Sequence, residues 1–549
     1  MNRRSLIRGM GCAGAALAWS RTLTAAAPTS APSIAATRYG KVRGLNIGGI
    51  HVFKGVRYGA STGGTNRFRP PLPPAPWNGV EDALTEGPQC FQNDPLGRLR
   101  SDFVALDESE DCLKLNVWTP GLKDGKKRPV MVWLHGGGLW RGSVAGAWQS
   151  GEHLSRRGDV VMVSPNHRLH VLAYNYLEGL GDANFTGSGN AGMLDLILAL
   201  QWVRDNIEEF GGDPANVTIF GQSGGGQKVS LLMTLPAGKG LFHRAIIQSG
   251  PAPITIEPDY AMALTHQLLA KLGLDAGSAR RIQEVPPQTL MRAYYEMFHA
   301  SGGFGVLGII QGFSPVVDGS VLPHQPFWNG ASRISKDVPL LIGSTRTEMT
   351  EYTLQGDPKA YLLDWAGIEQ KLAALFKDDA SAILAEFRAN HPRAQPWEVY
   401  SLILSDWPTR IFSIKIAEEQ SRLRAAPVHM YRMDWRTPVH DGLLMSPHAV
   451  DIAFVLDTVE ANVESNGGGP EPRLMVNQMS EVWLAFARSG NPQIDSLPQW
   501  PAYDEHRRAT MLFNLQSLVA FDPDAGDRKI LQAGMNRYRV VARGSDIPV

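Results

Sequence analysis

The chain has 549 residues, and its 53 Lys plus Arg balance 53 Asp plus Glu, so its formal charge is zero at pH 7. A neutral chain has no broad electrostatic attraction for nucleic acid or an anionic bilayer, so no nucleic-acid partner is expected. With 43% hydrophobic and 19% charged residues it reads as globular rather than disordered. It is also long enough to bury a large core without a structural metal or dense disulfides.

Met1 to Ala27 reads as a targeting segment. Arg3, Arg4 and Arg8 precede a mildly apolar stretch from Gly9 to Trp19, and Ala25-Ala26-Ala27 offers small residues for cleavage ahead of Pro28. The paired arginines and weak apolar stretch resemble a twin-arginine export signal, an address rather than an anchor. The other reading is an ordinary soluble N-terminus. Elsewhere no apolar run reaches about 18 residues, so no spanning helix is expected. The expected layout is an export signal over 1–27, one globular domain over 28–549, and a periplasmic or secreted location. Cys12 would leave with the signal. Cys90 and Cys112 remain, across a loop of roughly twenty residues whose closure by a bridge is worth about 3 kcal/mol. Two thiols cannot complete a tetrahedral zinc shell, so an exported protein favours a disulfide here, with two unpaired buried thiols as the other reading.

Further on, short apolar runs alternate with helical patterns. Val130–Leu134 stops at His135-Gly136-Gly137-Gly138, Val160–Val163 at Ser164-Pro165-Asn166, and Val217–Phe220 at Gly221-Gln222-Ser223. Ala245–Ile247, Pro339–Ile342 and Val428–Tyr431 behave alike. Runs without polar alternation indicate strands buried on both faces. Between two of them, Leu196, Leu200, Val203 and Ile207 make one apolar stripe on a helix spanning roughly 193–210, with Gly211-Gly212 as its stop. Strand, helix, strand with buried strands predicts a mostly parallel sheet covered by helices, with chemistry beyond the carboxyl ends of the strands.

Gly221-Gln222-Ser223-Gly224-Gly225 places a serine between a strand and a helix beginning near Gln227. Such a sharp turn needs glycines on both sides and lifts the hydroxyl clear of the sheet. His135-Gly136-Gly137-Gly138 follows another buried strand, and the N–H groups of Gly137 and Gly138, with that of Gly224, can converge on an oxyanion. A seryl nucleophile needs a base, and the base needs an anion to orient it. In this strand order the acid comes next and the histidine last. Glu348 lies just past the strand ending at Ile342-Gly343, while His440 and His448 both follow the strand near Tyr431. Order and position prefer neither histidine.

These residues resemble the type-B carboxylesterases, the cholinesterase-like branch of the α/β-hydrolases, over nearly the whole chain beyond the signal. Phe53–Tyr58 with Arg67–Pro71 is similar to the family's N-terminal pattern, and Glu110-Asp111-Cys112-Leu113-Lys114-Leu115-Asn116-Val117-Trp118 is very close to its second signature. Gly211–Pro214, Gly240–Ala245 and Trp500–Tyr503 continue the match. The resemblance implies an α/β-hydrolase with a central, mostly parallel twisted sheet flanked by helices and a small N-terminal antiparallel β region. It makes Ser223 the nucleophile and Glu348 the acid. His448, in His448-Ala449-Val450-Asp451, becomes the base and His440 a loop residue. Gly137, Gly138 and Gly224 become oxyanion donors, and Cys90–Cys112 a disulfide matching the family's first bridge. Gln222 departs from the family's usual Glu and Gly224 from its usual Ala. His167 and His170 stand where Tyr and Gly are usual, and Leu139-Trp140 follows the glycine triplet. Losing an anion at 222 weakens the case for cationic substrates.

The expected activity is two-step hydrolysis of a small-molecule ester, with no metal or organic cofactor. The rival readings are a non-catalytic adhesion or binding module on the same scaffold, or a lipase or amidase with the same triad. Loops including Gly302 to Gly312 are expected to shape the pocket.

Overall fold

The computed structural model describes residues 31–98, 106–301 and 312–537. The segment 1–27 lies outside them, as does 302–311 of the expected pocket loop. One sheet is built from β1 (Ala31–Ala36), β2 (Lys41–Ile47), β3 (Ile50–Arg57), β4 (Val80–Asp82), β5 (Lys114–Thr119), β6 (Arg128–Leu134) and β7 (Val161–Pro165). It continues with β8 (Gly212–Gln222), β9 (Arg244–Gln248), β10 (Leu340–Thr345), β11 (Val428–Met433), β12 (Ala509–Phe513) and β13 (Leu518–Phe521). The order is β1-β2-β3-β5-β7-β6-β8-β9-β10-β11-β12-β13, with β4 alongside β2. Every neighbouring pair from β7 to β12 is parallel. Along the path from β1 to β7 the N-terminal strands pair antiparallel, the side strand β4 runs parallel to β2, and β13 closes the far edge antiparallel to β12.

The apolar runs are continuous because alternate residues feed two different cores. Val130, Val132 and Leu134 of β6, Ile219 of β8, Ala245 and Ile247 of β9, and Leu340 and Ile342 of β10 face one cluster. Met131, Trp133, Phe220, Ile246 and Leu341 from the same strands face the other. The first is covered by the helix Ala191–Asn206, whose Leu196, Leu200 and Val203 pack there as the stripe predicts. That helix tightens into a 3-10 turn over Ile207–Phe210 and stops at Gly211 (φ 73°), so β8 starts earlier than its apolar run, at Gly212. The helix Pro470–Ser489 covers the opposite face with Met475, Met479, Trp483 and Phe486.

The chain leaves β6 through the helix Glu152–Gly158 toward β7 and leaves β8 through the helix Gly224–Leu232 toward β9. Leu154 of the first helix packs in one core and Val229, Leu231 and Leu232 of the second in the other. Connections therefore depart to opposite sides and opposite faces at β6/β8, which opens a crevice at the carboxyl ends of those two strands.

The expected Cys90–Cys112 bridge is corrected. Both are free thiols, buried in the core just ahead of β5. Burial, with the hydrogen-bonded Cys112 thiol adding to it, pushes the Cys90 thiol well above its ordinary range. The thiolate that bond formation requires is thereby suppressed.

Candidate active site

Ser223 sits at the crevice, between β8 and the helix Gly224–Leu232, with φ 57° and ψ −123°. A non-glycine residue there costs on the order of 1–3 kcal/mol, which the surroundings must over-determine. They do so by close backbone contact. A Cβ on Gly225 would lie 1.9 Å from the Leu134 carbonyl oxygen, and one on Gly221 2.6 Å from the same atom. The Ser223 N–H donates to the Gln248 carbonyl at 2.8 Å, tying the turn to β9.

The loop after β6 folds against this turn with Gly137 and Gly138 at φ 86° and 64°. No other protein group among the described residues takes up their N–H groups. A Cβ on Gly224 would fall 2.0 Å from the Gly138 carbonyl oxygen. The glycine found where the family usually has Ala is therefore matched by a loop that sits in the space of the missing methyl. The first N–H of the helix is unsatisfied by the helix itself, and its dipole favours negative charge at that end.

Across the crevice, Glu348 follows β10 and is almost wholly buried; Thr345 N–H donates to its Oε1 at 2.7 Å. Its Oε2 accepts from Nδ1 of His448, which follows β11. That bond fixes the tautomer and leaves Nε2 as the acceptor. Burial lowers the basicity of the His448 ring, but the Glu348 charge and hydrogen bond outweigh it, and the ring titrates above its ordinary value. The structure separates the two candidate histidines: His440 is exposed in a turn with φ 52°, away from any carboxylate bond.

The Gln222 amide nitrogen lies 3.2 Å from His448 Nε2 and 3.4 Å from Nδ1. These near-equal distances put the amide against the ring rather than on the Nε2 lone pair, and no hydrogen bond joins Ser223 Oγ to the ring. Such contacts are often long before substrate binds. Tyr352 packs its ring 5.5 Å from the imidazole. Behind it, Asp451 is fully buried and accepts from Gln248 at 2.9 Å. Burial pushes its carboxyl up to about 6. Asp451 lies in the histidine segment that the sequence singled out, but only packing against Gln248 and Tyr431 gives it a place behind the base. The Trp140 ring stacks toward Phe298 at 5.6 Å, continuing through Tyr294 and Phe313.

Among the described residues, one grouping has metal-ligand spacing: His391, Asp524 and Asp527. Its atoms are already engaged, Asp524 by Arg432 and Arg346 and Asp527 by His391 and Asn390.

A parallel sheet with a serine on a strained strand–turn–helix and a His–Glu pair at the next strand ends defines an α/β-hydrolase. Residues 31–525 match the carboxylesterase family across nearly the whole described chain, and the protein belongs to that family. It is 33% identical over 504 residues to para-nitrobenzyl esterase of Bacillus subtilis (strain 168), covering 91% of this chain and 98% of that one. It is 34% identical over 485 residues to phenmedipham hydrolase of Pseudarthrobacter oxydans, covering 86% and 92%. Its fold is similar to a solved Geobacillus stearothermophilus carboxylesterase at TM-score 0.78 and 34% identity, covering 90% of this chain and 99% of that one. The protein is a serine carboxylic-ester hydrolase acting on small-molecule esters, which sets aside the adhesion-module reading. No helix among the described residues is long and apolar enough to cross a membrane.

Proposed function

We propose that Ser223, His448 and Glu348 carry out ester hydrolysis through an acyl-enzyme. The observation that carries this reading is the buried Glu348 carboxylate bonded to His448 Nδ1, which turns Nε2 toward the Gln222-Ser223 turn. Nε2 accepts the Ser223 hydroxyl proton as Oγ adds to the ester carbonyl, and Glu348 stabilises the imidazolium. The resulting oxyanion is received by the N–H groups of Gly137, Gly138 and Gly224. Collapse breaks the bond to the alcohol, which leaves with the proton from Nε2. Water then adds to the acyl carbonyl, giving a proton to Nε2, and the second collapse frees the acid and returns that proton to Ser223. Ser223→Ala should fold normally and keep at most about 10³–10⁴-fold over water. Near-normal turnover in that variant refutes the assignment.

The substrate we infer is an ester with an aromatic or other bulky apolar group. Trp140, just past the glycine loop and near Gly138, packs on Phe298, residue 222 carries no charge, and the similar Bacillus subtilis protein is named para-nitrobenzyl esterase. Comparing kcat/KM for benzyl, short alkyl, choline-type and emulsified triglyceride esters, and for matched amides, tests this; a preference for choline-type esters, lipid emulsions or amides overturns it. We also propose export of the protein through residues 1–27, supported by Arg3-Arg4 and the Ala25–Ala27 run. Arg3→Lys/Arg4→Lys should retain activity inside the cell that the natural sequence delivers outside the cytoplasm.

A further inference from the structure

Lys228 lies on the helix that starts at Gly224 and is completely buried. Buried lysines are rare unless paired, because stripping water from an ammonium is costly. Among the described residues no carboxylate accepts from this one. Its Nζ donates to the carbonyl oxygen of His135 at 2.9 Å. His135 opens the loop that leads through Gly136 to Gly137 and Gly138. The same loop touches the helix through Leu134 O against Gly225 and Gly138 O against Gly224.

The surroundings leave that carbonyl as the anchor of the Lys228 amine. The His135 and His167 rings stack at 4.8 Å and 9°. Each bonds through Nδ1 to a backbone carbonyl at 2.8 and 2.6 Å, while both Nε2 atoms are buried without a partner. Burial, with Lys228 itself adding, keeps both imidazoles far below their ordinary value, so neither brings a competing positive charge. From the helix Ala191–Asn206, Asp195 is closed on Arg168 by two bonds of 2.6 and 2.8 Å.

We propose that Lys228 is a positioning residue for ester hydrolysis: bonded to the His135 carbonyl, it clamps the glycine loop onto the nucleophile helix so that the loop's N–H groups meet the oxyanion. The inference rests on the serine mechanism proposed above. Burial lowers the Lys228 amine to about 7, and with or without the extra proton its N–H donates to the same carbonyl. A hydrogen bond in a dry site is stronger than one in water, and this one acts on the residue immediately before the loop glycines. Lys228 touches no reacting atom. Its loss should therefore appear in the transition state rather than in ground-state binding, where a displacement of about 1 Å is worth about 10²-fold.

The test compares Lys228→Met, which keeps length without the donor, and Lys228→Gln, which keeps a shorter neutral donor. A fluorophosphonate that labels Ser223 stoichiometrically counts intact nucleophiles and keeps failure of the serine mechanism separate from failure of this proposal. The expected result for Lys228→Met is kcat down about 10²-fold with KM within threefold. Affinity for a trifluoromethyl ketone, whose carbonyl becomes an oxyanion when Ser223 Oγ adds to it, should fall by the same factor. Affinity for the matching methyl ketone should not change. Lys228→Gln should recover part of the loss. The proposal is overturned if kcat and trifluoromethyl ketone affinity stay within twofold of the natural protein, or if both ketones weaken equally. Failure of both variants to accumulate as folded protein also overturns it, since replacing a buried amine whose task is loop position should not cost the fold.

Discussion

The two banks of the crevice are built by different means. On the β6/β8 side the site is backbone packed on backbone: Leu134 O against Gly225, Gly138 O against Gly224, and Ser223 held at φ 57° by both. On the β10/β11 side it is one side chain reaching another, with Glu348 Oε2 bonded to His448 Nδ1 between segments well separated in the chain. A backbone bank tolerates no added atom, so it demands glycine at fixed spacing. A side-chain bank needs only that two groups of the right charge arrive at one place.

That contrast can be broken by substitution. The largest effect is expected on the side-chain bank: His448→Ala should lower kcat about 10⁶-fold, measured with Ser223 labelling to confirm a folded site. Glu348→Gln should cost about 10⁴-fold in kcat by loosening the tautomer. It should also shift the pH profile. The base works when neutral, so activity falls as pH drops through the raised His448 value. Removing the Glu348 charge leaves burial dominant, and the acid limb should move to lower pH. On the backbone bank, Gly224→Ala should cost about 10²-fold in kcat by driving Gly138 off its donor position. Thermal unfolding should show a lowered midpoint too, and unchanged kcat and midpoint would mean the loop yields freely. The smallest effect is expected from Gln222→Glu. A carboxylate beside the ring should raise the acid limb by about one pH unit, with the alkaline plateau of kcat within tenfold.

Much of the backbone bank was readable in advance. Gly221-Gln222-Ser223-Gly224-Gly225 after Val217–Phe220 gave the elbow, and His135–Gly138 after Val130–Leu134 gave the facing loop, because close backbone approach restricts residue type locally. Glu348 and His448 were less legible. Position left His440 open, and resemblance to the family chose between the two before the structure placed His448 on the carboxylate. Lys228 gave no signal at all, since a lysine on a short helix reads as a solvated side chain unless its burial is known. Cys90 and Cys112 misled in the other direction: spacing and resemblance implied a bridge, whereas both lie as free thiols in the packed core.

Local rules, acting over a few residues, set the strands, the stripe of the helix ending at Gly211 and the glycine turns, and these follow from the order of residues alone. Which histidine meets the glutamate, which amide lies against its ring, and where a buried lysine finds its carbonyl depend on groups brought together by sheet order and by the reversal at β6/β8. Charge and hydrogen bonding act through space, so those choices belong to the folded molecule.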